Sequence, residues 1–360
     1  MSKLSARERV LEQLAGRPVD RPTCYSGMGN ATTAGLEKLG LRFAEVHGDP
    51  AKMAALAASS VELFGYEAAV APFDLCVEAE ALGCRMNTYE SLDALLYPTI
   101  KEKAIKSQEE ISRFAVPSDL RQRGRIPIIR EALRQLRAGV GREAAVGTYL
   151  LGPFTLAGQL MELDQLFMLS LGERELIRGL LRKLTPVVVE LAEDFLQAGA
   201  DFITIREMGA ASDILSPRAF QDLVQPLLQE IASRISGPKI LHICGQTDKI
   251  VEMMAGCGYD ALSVEQKNDV SATRTKIGSG PLVFGNLDAF NLLVKGSPGQ
   301  VREAVQAALD AGVDSIWPGC DIWPEAKLEN LQAMVETTNS EGAGRWHRNG
   351  HPSAALAGGG

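Results

Sequence analysis

The run Lys239-Ile240-Leu241-His242-Ile243-Cys244-Gly245-Gln246-Thr247 decides how this chain is read. Its first five residues are apolar or β-branched enough for a buried strand, Gly245 breaks the run, and Thr247 to Ala255 continues with helical spacing of apolar residues. Strand, turn and helix thus follow one another within a short stretch. The same unit recurs along the chain, with strand candidates at Pro22 to Ser26, Glu67 to Pro72, Ala144 to Leu150, Asp201 to Arg206, Asp260 to Val264, Leu282 to Gly285 and Asp314 to Trp317. Helical stretches lie at Pro50 to Leu63, Arg174 to Ala198, Pro217 to Ile235, Gln300 to Ala311 and Glu325 to Val335. Alternation of strand and helix implies a parallel sheet covered on both faces. Eight repeats predict an α/β fold of the (β/α)8 TIM-barrel type, whereas an open doubly wound sheet usually stops at fewer strands and carries a glycine fingerprint that is absent here.

Residues 1–340 are expected to form this single domain, with an N-terminal helix and a long insertion, Phe73 to Glu143, between the second and third strands. The insertion holds a helix candidate, Arg125 to Arg137, and is a candidate lid or docking element. From Glu341 the sequence turns rich in Gly, Ala, Ser and Pro, so residues 341–360 are expected to be a disordered tail, with His347 and His351 idle within it. A net charge of −8 opposes binding to nucleic acid or an anionic membrane. No apolar run is long enough to span a bilayer and no signal peptide is visible, which predicts a cytoplasmic protein. Six cysteines in a chain of 360 residues do not make a disulfide framework.

His242 and Cys244, one residue apart at the end of the fifth strand, point into the same end of the expected barrel, and Cys320 follows the eighth strand at that end. The pattern is His-x-Cys-x75-Cys. One imidazole and two thiolates suit Zn²⁺, and three protein ligands leave a fourth position open for chemistry. Such a first shell carries no net charge, which favours activating a thiol over generating hydroxide. Glu265, ending the sixth strand, is placed as a fourth, displaceable ligand or as the base that takes the thiol proton; the competing reading is a salt bridge to Lys267. Asp74 and Glu78 follow the second strand at the same end, and Asp74 is a candidate catalytic acid. Arg206 and Glu207 end the fourth strand, where each is free to serve the site or to pair with the other. The remaining cysteines, Cys24, Cys76, Cys84 and Cys257, read as non-ligands.

Four segments resemble a known family: Gly152-Pro153-Phe154-Thr155-Leu156-Ala157, His242-Ile243-Cys244-Gly245, Gly285-Asn286-Leu287-Asp288 and Pro318-Gly319-Cys320. The chain looks like the uroporphyrinogen decarboxylase superfamily from about Leu4 to Thr338, and the His-x-Cys with its distant Cys is similar to the methylcobamide:coenzyme M methyltransferase branch. The resemblance implies zinc on His242, Cys244 and Cys320, with Glu265 nearby, and methyl transfer from a methylated corrinoid to a zinc-activated thiol such as coenzyme M. Asn286 and Arg206 are candidate binding residues, and a coenzyme M sulfonate would want a cation such as Arg206 or Lys267, or backbone N–H groups at a helix N-terminus. No Asp-x-His-x-x-Gly corrinoid signature is present: Glu45-Val46-His47-Gly48 fails at both flanks, leaving His47 as a surface loop residue and the corrinoid to a partner protein. Tetrahydrofolate is the alternative methyl acceptor. Decarboxylation is the alternative chemistry: Asp74 sits where the decarboxylases keep an aspartate, but Tyr25 to Thr32 lacks their substrate-gripping arginines.

Overall fold

The computed structural model describes residues 4–343, so His347, His351 and nearly all of the expected tail lie outside the described residues. The strands are β1 (Thr23–Cys24), β2 (Ala68–Val70), β3 (Arg85–Asn87), β4 (Thr99–Glu102), β5 (Ala145–Leu151), β6 (Phe202–Arg206), β7 (Lys239–Ile243), β8 (Ala261–Val264), β9 (Leu282–Leu287) and β10 (Ser315–Pro318). Eight of them form one parallel sheet in the order β1, β10, β9, β8, β7, β6, β5, β2, and each of the eight expected strand runs overlaps one of these. The sheet curls until its two edges meet. There the Glu67 N–H donates to the Cys24 carbonyl at 3.2 Å and the Cys24 N–H to the Glu67 carboxylate at 2.7 Å. Below this seam the same carboxylate pairs with Arg9 at 2.5 Å and Arg21 at 3.1 Å, and Arg9 pairs in turn with Asp20 at 2.6 Å. The fold is a (β/α)8 barrel of the TIM type.

β5 is buried along its whole length, as the near-continuous apolar runs required. Tyr25, Phe202, Phe284 and Trp317 fill the interior, with Tyr25 edge-on to Phe202 at 5.6 Å and to Trp317 at 4.9 Å. The register then sets the mouth. Arg206 lies beside His242 and His242 beside Ser263 on successive strands, so these side chains emerge at one level above the aromatic layer.

The expected N-terminal helix is Ala6–Leu14, begun by a Ser5 and Glu8 capping box. The insertion helix is Ile126–Ala138, close to its expected span. Elsewhere tertiary structure overrode the periodicity. The stretch expected as one helix from Pro217 to Ile235 divides into Pro217–Ala219, a π turn Phe220–Val224 and Gln225–Arg234. Pro226 has no N–H to offer the turn before it, so the ladder widens there. Thr247 to Ala255 is helical only over Val251–Ala255, and the Thr247 N–H and hydroxyl both donate to the Asn268 side chain, at 2.7 and 2.9 Å. The final helix is displaced toward the C-terminus, to Leu328–Glu341. The helices Pro153–Leu160 and Leu163–Gly172, and the antiparallel pair β3 and β4 in the insertion, were not foreseen. No described helix is long and apolar enough to cross a membrane.

Candidate metal centre

β7 delivers His242 and Cys244 to the mouth, and β10 delivers Cys320. His242 Nε2 lies 2.9 Å from Cys244 Sγ, and Cys244 Sγ lies 3.2 Å from Cys320 Sγ. All three ligand atoms fall within 4.8 Å of one another, and among the described residues this is the group of His, Cys, Asp and Glu that offers such a cluster. The other imidazole nitrogen, Nδ1, is 3.0 Å from the Ser263 hydroxyl, which fixes the ring so that Nε2 faces the sulfurs. The hydrogen bond to Cys244 holds the Cys320 thiol below the ordinary thiol range against burial, and that same contact, with burial, raises Cys244. The two sulfurs share a proton, a pairing that a divalent cation replaces with two thiolates. One buried imidazole and two facing thiols fit zinc.

The loops that carry the ligands depend on close approach. Gly245 has φ +83°, and a Cβ there would sit 2.9 Å from an Asp213 carboxylate oxygen. At Gly319 a Cβ would meet the Gln266 backbone nitrogen at 2.9 Å, so glycine lets the Cys320 turn lie directly on the Glu265 loop.

Glu265 itself is not part of the three-residue cluster. Its carboxylate accepts the Gly245 N–H and lies 3.7 Å from Lys267 Nζ, so it braces the residue next to Cys244. Asn268, which sequence reasoning missed, braces the same loop more extensively. Its Nδ2 donates to the carbonyls of Gly245 at 2.9 Å and Glu265 at 3.0 Å, while its Oδ1 accepts from Thr247. Asn286 continues this chain by donating to the Asn268 carbonyl at 3.0 Å.

Arg206 is fully buried beside the cluster and its charge is matched by Asp321 rather than by Glu207: the contacts are 2.9 Å from Nη1 and 2.5 Å from Nη2. Burial works against its charge, but Asp321 outweighs burial and keeps the guanidinium firmly protonated. Glu207 turns the other way and accepts the N–H groups of Phe154 and Thr155 at the start of helix Pro153–Leu160, at 3.1 and 2.6 Å.

Asp74 is buried with both oxygens on Arg125 of the insertion, at 2.6 and 2.9 Å. Burial alone would raise its pKa; His47 and Arg125 together hold it well below the carboxylate range. The expectation that His47 is a surface loop residue is corrected: it is buried, 3.2 Å from Asp74, with its ring edge-on to Phe43 at 4.9 Å. Glu78, also buried, accepts the Leu151 N–H at 2.7 Å and is pushed up to about 7 by burial. Cys24, Cys76, Cys84 and Cys257 are free, buried thiols apart from the cluster.

A cavity of about 470 Å³ opens against Cys320 and Asp321. The insertion supplies its far wall, with Tyr97, Pro98, Thr99 and Ile100 facing Ile322, Trp323 and Pro324.

The uroporphyrinogen decarboxylase (URO-D) family profile matches residues 5–340. The chain belongs to this family. Within it, the chain is 33% identical over 341 residues to the methylcobamide:CoM methyltransferase MtaA of Methanosarcina barkeri, covering 93% of this chain and 98% of that one. It is 30% identical over 339 residues to the methylcobamide:CoM methyltransferase MtbA of Methanosarcina acetivorans, with 93% and 98% covered. A solved methyltransferase from Methanosarcina mazei superposes with a TM-score of 0.89 at 31% identity, covering 94% of this chain and 99% of that one. The segment Tyr25 to Thr32 of this family member is almost wholly buried and carries no arginine.

Proposed function

We propose that this protein is a zinc-dependent methyltransferase that moves a methyl group from a methylated corrinoid, carried by a separate protein, to the sulfur of a small thiol. The observation that carries this reading is the isolated imidazole and dithiol cluster at the barrel mouth, in a chain similar over nearly its full length to methylcobamide:CoM methyltransferases. A zinc ion on His242, Cys244 and Cys320 supplies the Lewis acidity that makes an incoming thiol a thiolate near neutral pH.

The chain's own residues do the rest. Ser263 orients the imidazole, while Glu265 and Asn268 hold the Cys244 loop. The Arg206 and Asp321 pair fixes the turn after Cys320. The acceptor loses its proton to solvent, its sulfur bonds to the methyl carbon, and the cobalt–carbon bond breaks with the electron pair left on cobalt. Glu265 keeps its carboxylate on the Gly245 N–H and on Lys267, so its part in this reading is to brace the Cys244 loop. Coenzyme M is the reference acceptor because the relatives' names specify it. The exposed large apolar side chains include Leu96 in the insertion between β3 and β4, and Met168, Leu171, Ile214 and Trp323 in connections that follow β5, β6 and β10, a distribution that suits a docking partner above the mouth.

The test is zinc content together with the loss of methylcobalamin absorbance in the presence of a thiol. We expect about one zinc per chain, thiol methylation that stops on chelation and returns with zinc, and loss of both metal and turnover in Cys320→Ala. Turnover that persists without metal, or that requires tetrahydrofolate in place of a thiol, contradicts the reading.

A further inference from the structure

Resting on that reading, the structure assigns the acceptor a chemical class: we propose that it is a thiol with an uncharged, apolar body, which extends from the metal cluster into the cavity beside Cys320. The cavity holds about 470 Å³, the size of pocket that encloses a ring system or a long alkyl chain and much more than a two-carbon thiol needs. Its walls include Phe73, Leu75, Tyr97, Ile100, Ile322 and Trp323. No Lys, Arg or His is among its lining residues, and the two charged side chains that do line it, Asp74 and Asp321, are carboxylates.

The nearby cations are taken up by these and other carboxylates, so none is left free for a ligand. Arg206 places both terminal nitrogens on Asp321, and Arg125 places its own on Asp74, with its Nε 2.7 Å from Glu80. Lys267 points to Glu265 and is not part of the lining. The Asp321 side chain is 38% exposed and its partner Arg206 is wholly buried behind it, so the pair presents no free cation to the cavity. An anionic tail placed here gives up hydration to face apolar and aromatic walls with no cation in contact, which is unfavourable. An apolar tail gains from leaving water.

The experiment compares zinc-loaded protein on three thiols with methylcobalamin as donor: 2-phenylethanethiol, 2-mercaptoethanol and coenzyme M. The expected order of kcat/KM is 2-phenylethanethiol first, by about tenfold or more over the other two, since burying an apolar group in a fitted pocket commands selectivity of that size. Thr99→Lys, which adds a cation to an exposed part of the wall, should shift the preference toward coenzyme M. Trp323→Ala should raise KM for 2-phenylethanethiol more than for 2-mercaptoethanol. A readout independent of turnover is calorimetric binding of the methylated products, where methyl 2-phenylethyl sulfide should bind and methylated coenzyme M should not. Preference for coenzyme M, or equal use of 2-phenylethanethiol and 2-mercaptoethanol, overturns the acceptor class while leaving the methyltransferase reading in place. No methylation of any thiol by zinc-loaded protein removes that reading and the acceptor class with it.

Discussion

At the scale of single residues the mouth contains acids in opposite electrostatic situations. Asp74 is buried but has Arg125 across both oxygens, so its charge is retained. Glu78 is equally buried and accepts one backbone N–H, so burial prevails and its pKa rises from 4.5 to about 7. A folded value above the unfolded one means that the stabilising contribution of the protonated group is complete below about 4.5 and is lost as the pH rises through about 7. Glu78→Gln keeps an acceptor for the Leu151 N–H and removes the titration. Urea unfolding of the two proteins should therefore give similar stabilities near about pH 5, and by about pH 8 the variant should be the more stable by on the order of 3 kcal/mol. A difference that does not grow with pH contradicts the assignment. The convergence of His242, Cys244 and Cys320 was legible at this scale because residue chemistry and strand ends coincide in the sequence. The partners of the charged residues were not. Arg206 was set beside Glu207, its sequence neighbour, yet consecutive residues at a strand end diverge and its partner Asp321 comes from the far side of the barrel.

Among the elements, the connection after β7 is held by side chains instead of by its own helix. Sequence periodicity suggested a helix from Thr247, and the apolar spacing is indeed present. What it does not reveal is that Asn268, from the neighbouring connection, accepts the Thr247 N–H and donates to the Gly245 carbonyl, tying down the stretch before the helix that begins at Val251. The same limit applies to β3 and β4, which are short, partly exposed strands without an apolar run, whereas the barrel strands announce themselves by apolar runs. Asn268→Ala should leave the buried Thr247 N–H and hydroxyl unpaired, at a cost of about 2 kcal/mol in urea unfolding. It should also speed zinc loss to a chelator, because Cys244 lies between the strand and the released loop. Asn268→Asp retains the acceptor for Thr247 and loses the donors to Gly245 and Glu265, so it should release zinc faster than wild type and slower than the alanine variant. Wild-type zinc retention in both variants contradicts a bracing role.

Over the whole molecule, closure of the barrel brings His242 and Cys244 to Cys320, and its seam lies where β1, only two residues long, meets β2. No ladder pairs these strands in the sheet order; the seam is bridged by the backbone and carboxylate of Glu67. That carboxylate also anchors Arg9, whose side chain is 4% exposed, so helix Ala6–Leu14, the seam and the first strand form one electrostatic unit. Removing one member of a buried pair leaves the other charge without compensation, which typically costs about 3 to 5 kcal/mol. Glu67→Gln preserves the size of the side chain and an acceptor for the Cys24 N–H, so it isolates the charge. Its unfolding free energy should fall by about 3 kcal/mol, with Asp20 still available to Arg9. Hydrogen exchange should locate the effect: the amides of Cys24 and Glu67 should lose protection before those of β6 and β7, which pair on both sides. The substitution lies on β2's approach to the sheet, far in sequence from His242, Cys244 and Cys320, so zinc should be retained below the unfolding transition. A uniform rise in exchange across all barrel strands would mean instead that the seam opens only with the whole sheet, and that Glu67 stabilises the barrel without being its point of closure.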